Sequence, residues 1–311
     1  MDATLFELIR GTLSAFDFSP ARTVMALAAA CAVCRAGLNL IDRHQFGHQK
    51  LSITELNLYN NAVPACALAT VLVAAGLGGP LLARSLDWRC AAFGALIQAV
   101  AYGFSHAFRH LTVSQVTVAA KAADLFIPFC VFATTRQWDW GNYAFAVVTT
   151  LVYLPILLQR SPAGRRASLT ICLGLCALLL VQSAASPWLN GAGSEADWTS
   201  TLLFSTAAIL WRTLWSLLPL LRASAVPRQP PWTLLRSPLF GLRSVLTVAT
   251  QLSFILAVSS AHSTVAWPIL NSAGLLAMVL SALVLRETTH RYQTAIVAAV
   301  VALSLARFVT L

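Results

Sequence analysis

Long apolar runs separated by short polar breaks fill most of the chain. Ten runs approach the roughly 20 residues that a helix needs to cross a bilayer: 21–41, 61–83, 90–109, 113–134, 141–159, 168–186, 199–221, 238–259, 262–285 and 291–309. The breaks carry turn chemistry, as in GLGGP at 76–80, SPAGRR at 161–166, SPWLNGAGSEAD at 186–197 and VPRQPP at 226–231. Only the connections at 42–60 and 222–237 are long. This pattern predicts an all-α polytopic membrane protein of about ten transmembrane helices, with no soluble domain. In the leading stretch, MDATLFELIRGTLSAFDFSP, Asp2, Glu7, Arg10 and Asp17 interrupt the apolar residues. It lacks the apolar core and cleavage site of a signal peptide and reads as an amphipathic helix lying at the interface.

The polar residues inside the runs are few and periodic. Ser114, Thr117, Lys121 and Asp124 step by three, four and three, so they share one helix face. Gln98, Tyr102, Ser105 and Arg109 do the same, as do Cys31, Arg35, Asn39 and Asp42, and also Ser205, Arg212 and Trp215. Ser244, Thr247 and Gln251 form a further line. Several helices thus present one polar stripe each, and all can face a single central cavity. Placing a charge at the bilayer centre costs about 2.5–3.5 kcal/mol on insertion scales, so such groups face protein or water.

The ten runs divide into two fives. Shifting by 147 residues places TVAAKAAD (117–124) on TVAWPILN (264–271), with Thr117 on Thr264 and Asp124 on Asn271. Five is odd, so two copies in one chain have opposite topology, as in many secondary transporters. The expected division is 1–160 for the first repeat, with the N-terminal amphipathic segment, and 161–311 for the second, breaking near SPAGRR.

Composition agrees with a membrane protein. The chain of 311 residues is 58% hydrophobic and 10% charged, against about 25% charged in soluble domains, and its mean hydropathy is +0.73. Net charge is +10, nearly all from arginine. Because most arginines sit in short loops, the excess reads as topogenic rather than nucleic-acid-binding. Among seven cysteines, Cys31 and Cys34 make a CxxC inside an apolar run without a second pair, which argues against a metal site. His44, His48, His106 and His110 lack metal-ligand spacing, and no GxxxxGK[ST] is present. No cofactor, metal or enzymatic activity is expected.

Lys121 and Asp124 admit two readings. As a site, Lys121 anchors a carboxylate or phosphate, while Asp124 keeps it charged or carries a proton. As structure, the two neutralise each other at i,i+3. Arg35 and Arg212 are either cavity groups or snorkelling side chains, and Gln98 and Gln251 either line the cavity or hydrogen-bond between helices. Asn271 stands opposite Asp124 in the second repeat. Trp188, Trp198 and Trp232 read as interfacial anchors.

The helix–turn–helix pattern with a midpoint polar group, followed by LRETTHR before the last helix, resembles the drug/metabolite transporter superfamily, EamA-type proteins included. LYNNAVPACAL (58–68) is similar to the "YNN" motif of GDP-mannose transporters, and VAAKAAD (118–124) to the lysine-bearing helix of the nucleotide-sugar and sugar-phosphate branch. Here both motifs fall in the first repeat, whereas that branch carries them in the second, and Pro268 stands where the second repeat would have the lysine. The resemblance implies substrate contacts for Tyr59, Asn60, Asn61 and Lys121. It implies a secondary transporter working by alternating access on a small polar metabolite, anionic or zwitterionic, with a proton or counter-substrate as candidate coupling partner. A lipid-linked substrate flippase and a multidrug or amino-acid exporter of the same fold are the alternatives.

The expected location is the plasma (inner) membrane, multi-pass, as a monomer or weak homodimer, with both termini on one side. Which side is left open. With the first helix running inward to outward, the inner set carries Arg10, Arg22, Arg84, Arg89, Arg136 and Arg307. The outer set is larger and includes Arg160, Arg165, Arg166, Arg222, Arg228, Arg236, Arg286 and Arg291. The positive-inside rule therefore favours termini outside; the resemblance implies termini inside.

Overall fold

The computed structural model describes residues 20–48, 53–111, 113–136, 138–153, 165–190, 198–222, 237–258, 262–284 and 291–311. The leading amphipathic segment, the 160/161 division, VPRQPP and Trp232 lie outside them, as do the side chains of Ser114, Thr117, Arg109 and Trp198. The described chain is helical: α1 Pro20–His48, α2 Ile53–Ala74, α3 Gly78–Ser85, α4 Trp88–His110, α5 Val113–Asp124, α6 Ile127–Thr135, α7 Trp140–Val152, α8 Arg165–Leu189, α9 Trp198–Arg222, α10 Pro238–Val258, α11 Ser263–Leu270, α12 Ala273–Val284 and α13 Arg291–Thr310.

Six spans among the described residues are long and apolar enough to cross a membrane: Pro20–Asp42, Trp88–Ala107, Leu169–Leu189, Thr199–Pro219, Pro238–Val258 and Ser263–Val284. The protein is therefore an α-helical, multi-pass membrane protein. The other four expected runs are not among the spans found in the described residues. Polar residues crowd the start of α2, and α5 stops at its own buried charges. Among the described residues the 141–159 run is represented by α7, 13 residues long, and α13 contributes the shorter apolar helix Thr294–Thr310.

Several boundaries differ from those the sequence predicts. The long 42–60 connection is mostly helix, because α1 continues to His48 and α2 begins at Ile53. The 61–83 run is two helices. At its break Gly76 has φ +78, Gly76 N donates to Val73 O and Leu77 N to Leu72 O, the Schellman arrangement that needs a glycine in the left-handed region. SPWL at 186–189 remains inside α8. Elsewhere side chains cap the helices: Asp87 accepts from Arg89 N at 2.9 Å, and Asp139 from Gly141 N at 2.7 Å.

Two runs predicted as single helices are broken in the middle. α5 ends at Asp124 and α6 restarts at Ile127, because Pro128 has no N–H for the Asp124 carbonyl. Leu125 N and Phe126 N turn instead to Ala122 O and Ala123 O, which strips the Lys121 carbonyl of its helical partner. α11 and α12 break at Asn271 and Ser272, where Ser272 N bonds Ile269 O and strips the Pro268 carbonyl in the same way. Lys121 and Pro268 are equivalent positions under the 147-residue shift. Backbone freed in this way is tolerated at membrane depth only where protein or water satisfies it.

Packing follows an exchange of the two halves. α1 packs on α10, and α8 on α4. α1 also lies against the broken pair α11/α12, and α8 against α5/α6. α9 packs on α4, and α2 on α10, while α2 meets α9, α7 meets α13, and the two broken helices meet each other. Arg22 at the start of α1 donates to the carbonyls of Phe308 and Val309 at the end of α13 (3.2 and 3.1 Å), so these two helix ends are neighbours. Gly94 on α4 allows close approach to α9: a Cβ there would lie 2.8 Å from Trp211 Cβ. Outward positions are apolar, as at Leu173 and Val245. Trp138, Trp140, Tyr143 and Phe129 cluster around the α6–α7 turn, and Trp188 pairs with Trp88 at 5.3 Å; both groups suit an interfacial belt.

Candidate functional site: a polar seam and a sealed ion pair

The predicted polar residues separate into two groups. The first is closed. Lys121, Asp124 and Asn271 meet where the broken helices cross. Lys121 Nζ donates to Asp124 Oδ2 at 2.8 Å and to the freed Pro268 carbonyl, and lies over the Tyr153 ring with 5.3 Å to its centroid. Asn271 Nδ2 donates to the other oxygen of Asp124. Ser272 Oγ also donates to the Pro268 carbonyl, and Thr150 Oγ1 to the freed Lys121 carbonyl. Both charged side chains are 0% exposed. The break that frees each carbonyl thus supplies the acceptor that its surroundings use. Lys121 and Asp124 present no atom to solvent in this conformation, so the pair takes the structural geometry of the two readings. Thr264, the counterpart of Thr117, accepts from Asn142, which in turn accepts from Arg307 at 2.7 Å.

The second group is a connected seam on α1, α2, α4, α9 and α10. Asn61 Nδ2 donates to Gln98 Oε1 and to Ser216 Oγ, both at 3.1 Å, and Gln98 Nε2 donates to Asn57 Oδ1 at 3.4 Å. The Tyr102 hydroxyl is buried beside Gln98 and Ser216 without a well-formed hydrogen bond. One turn from Ser216, Arg212 Nη1 donates to Gln251 Oε1 at 3.3 Å. Arg243 grips Asp42 through Nε–Oδ1 (2.6 Å) and Nη2–Oδ2 (3.0 Å) and also reaches Thr247. Arg35 lies over the Phe254 ring with 5.4 Å to its centroid. Gln251 and Phe254, which meet Arg212 and Arg35, are one helical turn apart on α10, so the two guanidiniums lie at neighbouring levels of one helix face.

The seam therefore holds three guanidinium groups and one carboxylate among the described residues. Arg243 is matched by Asp42, whereas Arg35 and Arg212 meet no carboxylate among the described residues. Both keep partial exposure while set among membrane helices. At a cost of about 2.5–3.5 kcal/mol per charge at membrane depth, two unmatched cations need a reason. Arg212 and Gln251 also spend their polar atoms unevenly: Arg212 Nε and Gln251 Nε2 have no partner.

The structure thus brings together Gln98, Tyr102, Asn61, Arg212, Gln251 and Arg35, and sets Lys121, Asp124 and Asn271 apart. Between the groups stands an aromatic wall: Phe254, under Arg35, meets Trp267 edge-on at 5.8 Å, and Trp267 adjoins Pro268. Asn60 is buried with its carbonyl oxygen unpartnered, and Tyr59 is half-buried on α2. Trp215 points to α4, donating to Ala91 O at 3.1 Å, and so stands apart from the stripe it was grouped with. Sequence reasoning passed over Arg243, Asn57 and Ser216. Each stands four residues from a residue already singled out: Thr247, Asn61 and Arg212. Extending the stripes by one helical turn would have found them. Among the described residues no three His, Cys, Asp or Glu side chains gather as metal ligands.

No family model matches this chain, and no curated protein matches it. A solved structure, known only as "Crystal structure of protein", is similar over 90% of this chain and 95% of its own, with a TM-score of 0.67 at 13% identity. At that identity the likeness concerns the fold alone, and it extends over nearly the whole chain.

Proposed function

We propose that this protein is a secondary transporter of a small polar, anionic or zwitterionic metabolite, working by alternating access. In this reading it is built like the drug/metabolite transporters from ten membrane helices in two inverted five-helix repeats. The observation that carries the reading is the seam itself. Five membrane helices drawn from both halves of the chain aim amides, hydroxyls and two unmatched guanidiniums at one interior region. A scaffold would bury apolar side chains there. The exchange-symmetric packing and the two helices broken at equivalent positions support the repeats, since such breaks put backbone dipoles and polar groups at midplane. The neighbouring ends of α1 and α13 support termini on one side of the bilayer.

The seam and the ion pair divide the labour. The seam receives the substrate, and the crossing of the broken helices is the hinge across which the halves rock. The test is counterflow in proteoliposomes preloaded with one solute from a panel of organic anions, amino acids, polyols and organic cations. The expected result is accumulation of an anionic or zwitterionic solute that collapses when the preload is omitted. Accumulation of organic cations alone, or of no solute, overturns the reading.

A further inference from the structure

We propose that Arg35 and Arg212 form a binding site for a small organic dianion, a phosphate monoester or a dicarboxylate, with Gln251 supplying a third donor. The inference deepens the transporter reading and rests on it for the purpose of binding, but the binding can be measured without transport.

The argument is an inventory of donors and acceptors. Four acceptor groups beside the arginines and amides of the seam are spent: Gln251 Oε1 on Arg212, both Asp42 oxygens on Arg243, Gln98 Oε1 on Asn61 and Asn57 Oδ1 on Gln98. What remains unspent on Arg212 and Gln251 are donors. Arg212 Nε and Gln251 Nε2 have no partner among the described residues, and Gln251 is only 4% exposed. Arg35 uses a ring face of Phe254 and leaves the edge of its guanidinium open. A buried donor without an acceptor is costly, so the missing component is an acceptor-rich group. A neutral polyol brings as many donors as acceptors and satisfies this only in part; an organic cation adds to the repulsion between Arg35 and Arg212. An oxyanion supplies acceptors alone, and guanidinium forks match carboxylate and phosphate geometry. Two unmatched positive charges set the charge of the ligand at minus two. Lys121 is unavailable for this task, since its ammonium is enclosed and satisfied.

The test uses the full chain purified into lipid nanodiscs, titrated with glycerol 3-phosphate, succinate, acetate, glycerol and choline, with affinity read by calorimetry. The expected result is saturable binding of glycerol 3-phosphate or succinate, weaker binding of acetate and none of glycerol or choline. Whichever dianion binds tighter assigns the head group. Arg35→Gln and Arg212→Gln should each weaken the dianion by about tenfold or more, the scale of one lost charge-assisted contact, while Arg84→Gln, whose guanidinium is paired with Asp87, should not. If Arg212→Gln does not fold, Arg212→Lys keeps the charge, loses the fork and must still weaken binding. Absence of dianion binding to the unmodified protein, or equal affinity in these variants, overturns the proposal. Dianion binding without counterflow would leave this site standing and sink the transporter reading instead.

Discussion

The ion pair at the helix crossing and the arginine seam lie on either side of one aromatic wall, and they treat charge in opposite ways. At the crossing, one cation and one anion are fully enclosed, and every strong hydrogen-bonding site on them that the structure uses is taken by Asn271 or a freed carbonyl. In the seam, among the described residues, the one carboxylate matches one of three cations, and donors on Arg212 and Gln251 go unspent. Enclosed and balanced charge makes a joint: its atoms have nothing left to offer a ligand. Partly exposed and unbalanced charge makes a receptor, because its shortfall can be made good only from outside. Ionisable residues inside a membrane are a default functional signal, and this molecule shows that the signal divides according to whether the charge is already answered.

The contrast is broken most forcefully at the joint. Lys121→Met leaves Asp124 as a buried, unmatched carboxylate, and removing one partner of a buried pair costs about 3–5 kcal/mol. Asp124→Leu should cost a similar amount by stranding the ammonium. The double variant Lys121→Met/Asp124→Leu should recover most of the loss, because apolar replacement of a whole buried pair is often neutral. Thermal unfolding of the three variants in one lipid preparation checks this. If either single variant keeps the parent midpoint, the joint is not what holds the crossing together.

Asp42→Asn attacks the one guanidinium of the seam that is matched by a carboxylate among the described residues. It removes two charge-assisted hydrogen bonds from Arg243, worth about 1–3 kcal/mol, with the lower end favoured because Asp42 is 27% exposed. It also adds a third unanswered cation. Stability should fall while affinity for the dianion rises, two readouts moving in opposite directions. A fall in both would mean that Asp42 itself contacts the ligand.

Gly94 and Gly241 are equivalent under the 147-residue shift, yet their surroundings differ. A Cβ at Gly94 meets Trp211 Cβ at 2.8 Å and Ala208 O at 3.0 Å, atoms too close to the backbone to swing aside, whereas nothing lies within 4 Å of one at Gly241. Gly94→Ala should therefore cost about 1–3 kcal/mol by overpacking α4 on α9 behind the seam, and Gly241→Ala should be neutral or stabilise by up to about 1 kcal/mol through helix propensity. Equal effects from the two substitutions would place the tight contact elsewhere.

Much of this arrangement is readable in the chain, for reasons that also explain the gaps. Apolar length locates the helices, and helical periodicity groups Gln98 with Tyr102 and Asn39 with Asp42, because both are local properties. Asp124 facing Asn271 follows from the 147-residue shift alone. The fate of Lys121 does not, because its decisive partner is a backbone carbonyl of Pro268, and a carbonyl is identical at every position until a helix break frees it. Arg35 and Arg212 stand out as charges, but whether they snorkel or stay inward depends on what faces them across four other helices. The 42–60 connection reads as a loop because polarity normally signals exposure. Asn60 and Asn61 are polar, helical and buried, each 3% exposed, since the surface α2 turns inward is itself polar.

The smallest effect on stability should come from the residue with the largest effect on binding. Arg212→Gln removes a charge that has no carboxylate partner among the described residues and that is repelled by Arg35 and Arg243. The lost bond to Gln251 is a single contact of 3.3 Å, which a glutamine amide can partly replace. Relief of repulsion offsets that loss, so the stability should stay within about 0.5 kcal/mol of the parent's or rise, the usual sign of a site held in a strained state for function. Lys121→Met and Arg212→Gln each delete one intramembrane cation, so side-by-side melting curves with and without glycerol 3-phosphate compare the two regions directly. The expected result is a protein that melts early but still shifts with ligand for Lys121→Met, wherever it folds, and one that melts normally but no longer shifts for Arg212→Gln. A strongly destabilised Arg212→Gln that kept its ligand shift would make the seam a second joint and remove the distinction between the two regions.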